Sequence, residues 1–112
     1  MKTIRNSHEL AALLTPEKDL IIDDDVLFEF SPQVGEIRDV RCRDLTLKKG
    51  SILLDFNCEN FTGRNFTGGN FTGGNISYHC FFCARGWVKC KTIKGRRVPC
   101  AEPIALEGFK KA

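Results

Sequence analysis

What this chain of 112 residues lacks narrows it before any motif is read. It has no uninterrupted apolar run near the roughly 20 residues that a membrane-spanning helix needs, so no membrane partner is expected. Its opening segment, MKTIRNSHELAALLTPEKD, holds neither a continuous apolar stretch nor a small-residue cleavage site, and the expected compartment is the cytoplasm. There are two histidines, His8 and His79, and no Gly-x-Ser-x-Gly, Walker-type loop or His-Glu-x-x-His. The nearest nucleophile arrangement pairs His79 with Cys80 or Cys83, and adjacent residues of a strand point to opposite faces. Neither an enzyme nor a cofactor is expected.

What is present is ordinary in bulk and uneven in detail. Hydrophobic content of 42% and charged content of 28% suit one folded domain spanning residues 1–112. Residues 1–60 carry 8 Lys/Arg against 12 Asp/Glu, whereas residues 61–112 carry 9 against 2, so one end should be acidic and the other basic.

Six cysteines would frame disulfides in a secreted miniprotein; in a reducing cytoplasm they are thiols or metal ligands. Cys80, Cys83, Cys90 and Cys100 contain one Cys-x-x-Cys, but the later pair lies ten apart, which is half a zinc site. Buried structural thiols are the expectation, with no metal. Sequons at Asn60, Asn65, Asn70 and Asn75 follow from the repeat described next rather than from glycosylation.

That repeat is ENFTGRNFTGGNFTGG, residues 59–74, with Asn-Phe-Thr recurring every five residues. Neither a helix near 3.6 nor a strand at 2 keeps such phenylalanines on one face. A fixed short period is the mark of a solenoid. Centres run Phe56, Phe61, Phe66, Phe71, Ile76 and Phe81, each pointing inward from one short side. Four sides would give a coil of about twenty residues, with coils stacked at ~4.8 Å. Phe56 should then lie beneath Ile76, and Phe61 beneath Phe81.

Upstream, Asn6 and Glu9 form a capping box for a short helix over 7–14, with Leu10, Leu13 and Leu14 on one side and Pro16 beyond. Residues 1–18 read as an N-terminal cap. Strand signal begins near Leu20 and alternates through Val26, Phe28 and Phe30 to Pro32. The acidic triplet Asp23 to Asp25 reads as a solvated turn.

The run over residues 59–73 resembles the pentapeptide-repeat family, whose fold is a right-handed quadrilateral β-helix; the regular match covers about residues 54–83. Glu59 and Arg64 stand where that family buries a small residue, so irregular coils are expected there. Residues 84–112 should form the last coils. Segments such as Asn75-Ile76-Ser77-Tyr78 and Lys89-Cys90-Lys91-Thr92-Ile93-Lys94-Gly95-Arg96-Arg97 are similar to small phage- and prophage-encoded β-solenoid proteins. Some pentapeptide-repeat proteins mimic DNA and inhibit gyrase, but those are long and acidic, unlike this repeat half.

The fold expected is thus all-β, a short right-handed β-helix with an N-terminal capping helix. The expected function is a non-catalytic phage- or prophage-derived protein that binds and inhibits a host protein or ribonucleoprotein complex, in the manner of an anti-CRISPR. A second reading is nucleic-acid binding through Lys89, Lys91, Lys94, Arg96 and Arg97, which would form a basic stripe beside Trp87. A third is a structural solenoid that assembles end to end. Monomer and homodimer fit all three.

Overall fold

The computed structural model describes residues 1–95 and, for the backbone alone, the strand Pro103–Lys111. These residues form a right-handed β-solenoid of about 4 turns. Strands from successive turns pair in parallel, and the interior holds the apolar side chain from the middle of each short side.

The capping helix is shorter than the stripe of leucines implied. It spans Ser7–Ala11, with Asn6 as N-cap accepting from the Glu9 amide at 2.9 Å. The Glu9 carboxylate reaches back to the Arg5 amide at 2.9 Å, one residue further than a capping box requires. Leu10 is buried, and Leu13 and Leu14 pack against the end of the core. The chain then enters the solenoid at Leu20–Ile21, followed by Val26–Phe28.

From there the strands sort into three faces. The first stacks Leu20, Val40, Phe61, Ile76 and Ile93. The second stacks Val26, Leu45, Phe66 and Phe82. The third stacks Phe56, Phe71 and Val88. All of these side chains are buried.

The period of five therefore builds a three-sided coil, which corrects the four-sided expectation. Phe56 lies beside Phe71, not Ile76, and Ile76 lies beside Phe61, fifteen residues away. The reason is ring size. Phe61, Phe66 and Phe71 belong to one coil, and their centroids are 5.9, 5.3 and 6.2 Å apart in edge-on contacts. Three rings that already touch close the interior, and a fourth side would open a void at their centre.

The centre expected at Phe81 is also displaced: Phe82 is the buried residue, stacked beside Phe66, while Phe81 is 48% exposed. The strand Asn75–Ala84 takes up one extra residue between Tyr78 and Phe81. Tyr78 is buried at the corner position that Gly63 occupies one coil earlier, and a ring in place of a hydrogen lengthens the path around that corner.

Corners carry a second inward position two residues past each centre. Gly63, Gly68 and Gly73 fill it in the coil of three phenylalanines, and Cys42, Leu47 and Cys58 fill it one coil earlier. A side chain at Gly73 would place its Cβ 2.6 Å from the Cys58 carbonyl oxygen, so glycine is needed there for close approach rather than for an unusual φ.

The first two coils are longer, twenty residues from Leu20 to Val40 and twenty-one from Val40 to Phe61. The added length goes into two excursions. Residues 29–36 pass beneath the third face, where the Asn57 amide donates to the Pro32 carbonyl at 3.2 Å. Asp44–Lys49 turns back through Gly50, at φ 62°, to pair antiparallel with Ile52–Leu53. Of the segments expected to be irregular, Glu59 turns outward and the pairing that follows it stays regular, whereas Arg64 lies opposite the extra residue between Tyr78 and Phe81, so the ladder to the next coil is irregular there.

Candidate binding surface

The residue before each centre explains the Asn of the repeat. Along the first face Asn60 donates to Asp39 at 2.7 Å, Asn75 donates to Asn60 at 2.8 Å, and Thr92 donates to Asn75 at 2.6 Å. Along the second, Asp25 accepts from the Asp44 amide at 3.1 Å, Asp44 accepts from Asn65 at 2.8 Å, and Asn65 accepts from the Phe81 amide at 3.0 Å. Along the third, Asp55 accepts from the Asn70 amide at 3.1 Å and Asn70 from the Trp87 amide at 2.8 Å. An amide both donates and accepts, so it continues a ladder; a carboxylate only accepts, so it suits the first rungs.

This uses the acidic half of the chain structurally. Asp44 receives both nitrogens of Arg64 at 2.9 and 3.0 Å, and that guanidinium, with help from Asn65, holds its carboxyl below the usual range. Asp19 is gripped the same way by Arg38 at 2.9 and 2.7 Å. The triplet read as a solvated turn has definite partners: Asp24 meets the N-terminal ammonium at 3.1 Å, Asp23 meets Arg43 at 3.6 Å, and Asp25 is a ladder rung.

Beyond Arg64, the basic half lacks such partners among the described residues. No Asp or Glu occurs from residue 60 through 101. Among the described residues, Arg85, Lys89, Lys91 and Lys94 form no ion pair. Val88, Cys90 and Ile93 turn inward as the alternation implied, with Lys89, Lys91 and Lys94 outward.

These lysines do not make a straight stripe. Lys89 lies beside Thr72 on the third face, Lys91 follows the corner at Gly74, and Lys94 lies beside Ser77 on the first face. They wrap around one coil, with Arg85 at the preceding corner beside Gly69. The Lys89 ammonium sits 4.5 Å from the centre of the half-buried Trp87 ring, a cation–π contact. Arg96, Arg97 and Cys100 lie outside the described residues.

The described cysteines do not converge. Cys58 and Cys90 point into the interior, Cys42 is half-buried at a corner, and Cys83 lies beside Thr67 on the second face, separate from Cys90. Among the described residues no group of three or more His, Cys, Asp or Glu is placed to hold a metal. Burial pushes the Cys42 thiol up to about 12 and the Cys90 thiol up to about 11, and raises Cys58 further. His79 is exposed and Cys80 half-buried in the bulge of the same strand.

A groove of about 700 Å³ runs along the corner between the third and first faces. Its floor is the stacked corners of Cys58 and Glu59 with Gly73 and Gly74; Val34, Gly35 and Arg38 wall one side, and Lys91 closes the basic end. Sequence reasoning missed this groove because its wall comes from residues 29–36, which carry no repeat. Their local signals, Phe30 and Pro32, read only as the end of a strand that in fact closes at Phe28, and the turn at Gly35, with φ 82°, carried no motif.

Compared with known protein families, with curated proteins and with solved structures, the chain matches none. Among the described residues no helix is long and apolar enough to cross a membrane.

Proposed function

We propose that this chain is a non-catalytic binding protein of phage or prophage origin that docks on a host factor and blocks it, in the manner of an anti-CRISPR protein acting on a bacterial defence system. The observation that carries this reading is the contrast in ion pairing. Acidic side chains of the first coils are tied into ladders and salt bridges, while four cations around a later coil have no acidic partner among the described residues. Charge that makes no ion pair within the described scaffold is left to steer encounter with an opposite charge on a partner. The similarity to small phage solenoids supports the origin, and it is an analogy of fold, which does not by itself fix function.

Nucleic-acid binding is the second reading, favoured by Lys89 over Trp87, since an indole and an ammonium together suit a base and a phosphate. The two separate on salt. Tagged protein incubated with bacterial lysate should retain a stoichiometric protein partner through a high-salt wash. Nucleic acid that is bound at low salt and lost steeply at high salt would replace the first reading with the second.

A further inference from the structure

We infer that the third face is the docking surface, and that its occupant is a protein with an acidic patch beside aliphatic pockets. This rests on the proposed function and names the surface that performs it.

The starting point is economy. The coil from Phe61 to Ile76 closes in fifteen residues, so a three-sided turn of this solenoid needs no more. The two preceding coils carry about five extra residues each, in excursions that root in the core at Phe30 and Leu47 and put their tips outside it. In stacked repeats, insertions of this kind gather on the binding side.

Here the two excursions end at opposite edges of one face. The hairpin of Asp44–Lys49 with Ile52–Leu53 leaves the solenoid at the corner just before Phe56, where the third face begins. The segment 29–36 crosses beneath that face and emerges at its other corner, in the wall of the 700 Å³ groove. Each tip turns on a glycine of positive φ, Gly50 and Gly35. Each also presents an aliphatic side chain to solvent: Ile52 is 65% exposed and Val34 86%.

Two bare aliphatic tips flank a face whose later coil, paired on its far side with the strand Pro103–Lys111, carries Arg85, Trp87, Lys89 and Lys91. A nucleic acid offers nothing to Val34 or Ile52, and Glu17 and Glu59 in the groove would repel its backbone. A protein surface with carboxylates opposite the cations, set away from Glu17 and Glu59, and apolar pockets at the two edges fits the arrangement.

The test compares capture of lysate protein by the tagged wild type, Val34→Asp, Ile52→Asp and a control on the second face, Thr67→Asp. All three positions are exposed, so the variants should melt within a few degrees of wild type. The expected result is at least a tenfold fall in the stoichiometric partner for Val34→Asp and for Ile52→Asp, with Thr67→Asp unchanged. Undiminished capture by the first two, or loss with Thr67→Asp alone, would overturn the third face as the surface and leave the proposed function standing. A wild-type protein that captures no protein, or only salt-labile nucleic acid, would overturn both.

Discussion

Phe66 and Phe82 lie face to face across successive coils, with ring centroids 4.5 Å apart and planes within 12°. Their neighbours meet edge-on: Phe71 stands against Phe66 at 89° and against Phe82 at 78°. One stacked pair inside a set of edge-on contacts is how a narrow three-sided interior packs phenylalanine from every side. Each ring is buried and has no room to relax into its neighbour's place.

Truncating either member of that pair should leave a cavity that the solenoid cannot collapse. Phe66→Ala is expected to cost about 3–5 kcal/mol, read by urea denaturation with an unchanged slope. Phe81→Ala, one residue from Phe82 and half-exposed, should cost well under half as much. Equal losses would mean that Phe81 is the inward residue after all.

The first-face ladder makes its own prediction. Asn60 donates to Asp39 and accepts from Asn75, so Asn60→Ala removes two hydrogen bonds and strands a partner on each side. At about 0.5–1.5 kcal/mol per bond the expected loss is about 1–3 kcal/mol. Asn60→Asp keeps the acceptor but loses the donor and sets a second carboxylate against Asp39, and it should be destabilised as well. Stability equal to wild type in both variants would remove the ladder from the account.

Acid stability should depend on Arg64. Its guanidinium, first among the causes, lowers the Asp44 pKa in the folded state, so the stabilisation is present above the unfolded carboxylate value of 3.8. It is lost as pH falls through the lower, folded value. Arg64→Ala is therefore expected to be less stable than wild type at pH 7 and to lose less on acidification below pH 4. Parallel acid limbs in the two proteins would contradict this.

The thiols give the alkaline counterpart. Burial raises Cys42 to about 12 and Cys90 to about 11 from an ordinary 9.0, so folding favours their protonated forms. That contribution is full below pH 9 and is lost as pH rises from 9 toward the folded values. Native protein should therefore react slowly at Cys42, Cys58 and Cys90 with a thiol reagent at pH 8, and rapidly once unfolded. Mass spectrometry of the labelled cysteines reads this directly, and prompt labelling of Cys58 in native protein would contradict its burial.

Much of this fold was legible because its signals are local. The Asn6 cap, the alternation through Val26 and Phe28, and the centres from Phe56 to Ile76 each sit in a few consecutive residues. The number of sides was not. A period of five fixes the length of one side, whereas the count per coil depends on how rings at Phe61, Phe66 and Phe71 meet across the interior. The shift from Phe81 to Phe82 was hidden for a similar reason, since it answers to Tyr78 filling a corner against Gly63 of another coil. At the surface, the lysines were visible as a cluster, but their spread over two faces depends on where the chain turns. Val34 and Ile52 carry no motif and gain meaning only from the face they flank.

The three-sided coil is the claim on which the faces, ladders and docking surface all depend, and backbone NOEs in an isotope-labelled sample test it most directly. The account predicts cross-strand amide and Hα contacts from Asn75, Ile76 and Ser77 to Asn60, Phe61 and Thr62. Contacts from Ile76 to the Phe56–Asn57 strand instead would restore a twenty-residue, four-sided coil and contradict it.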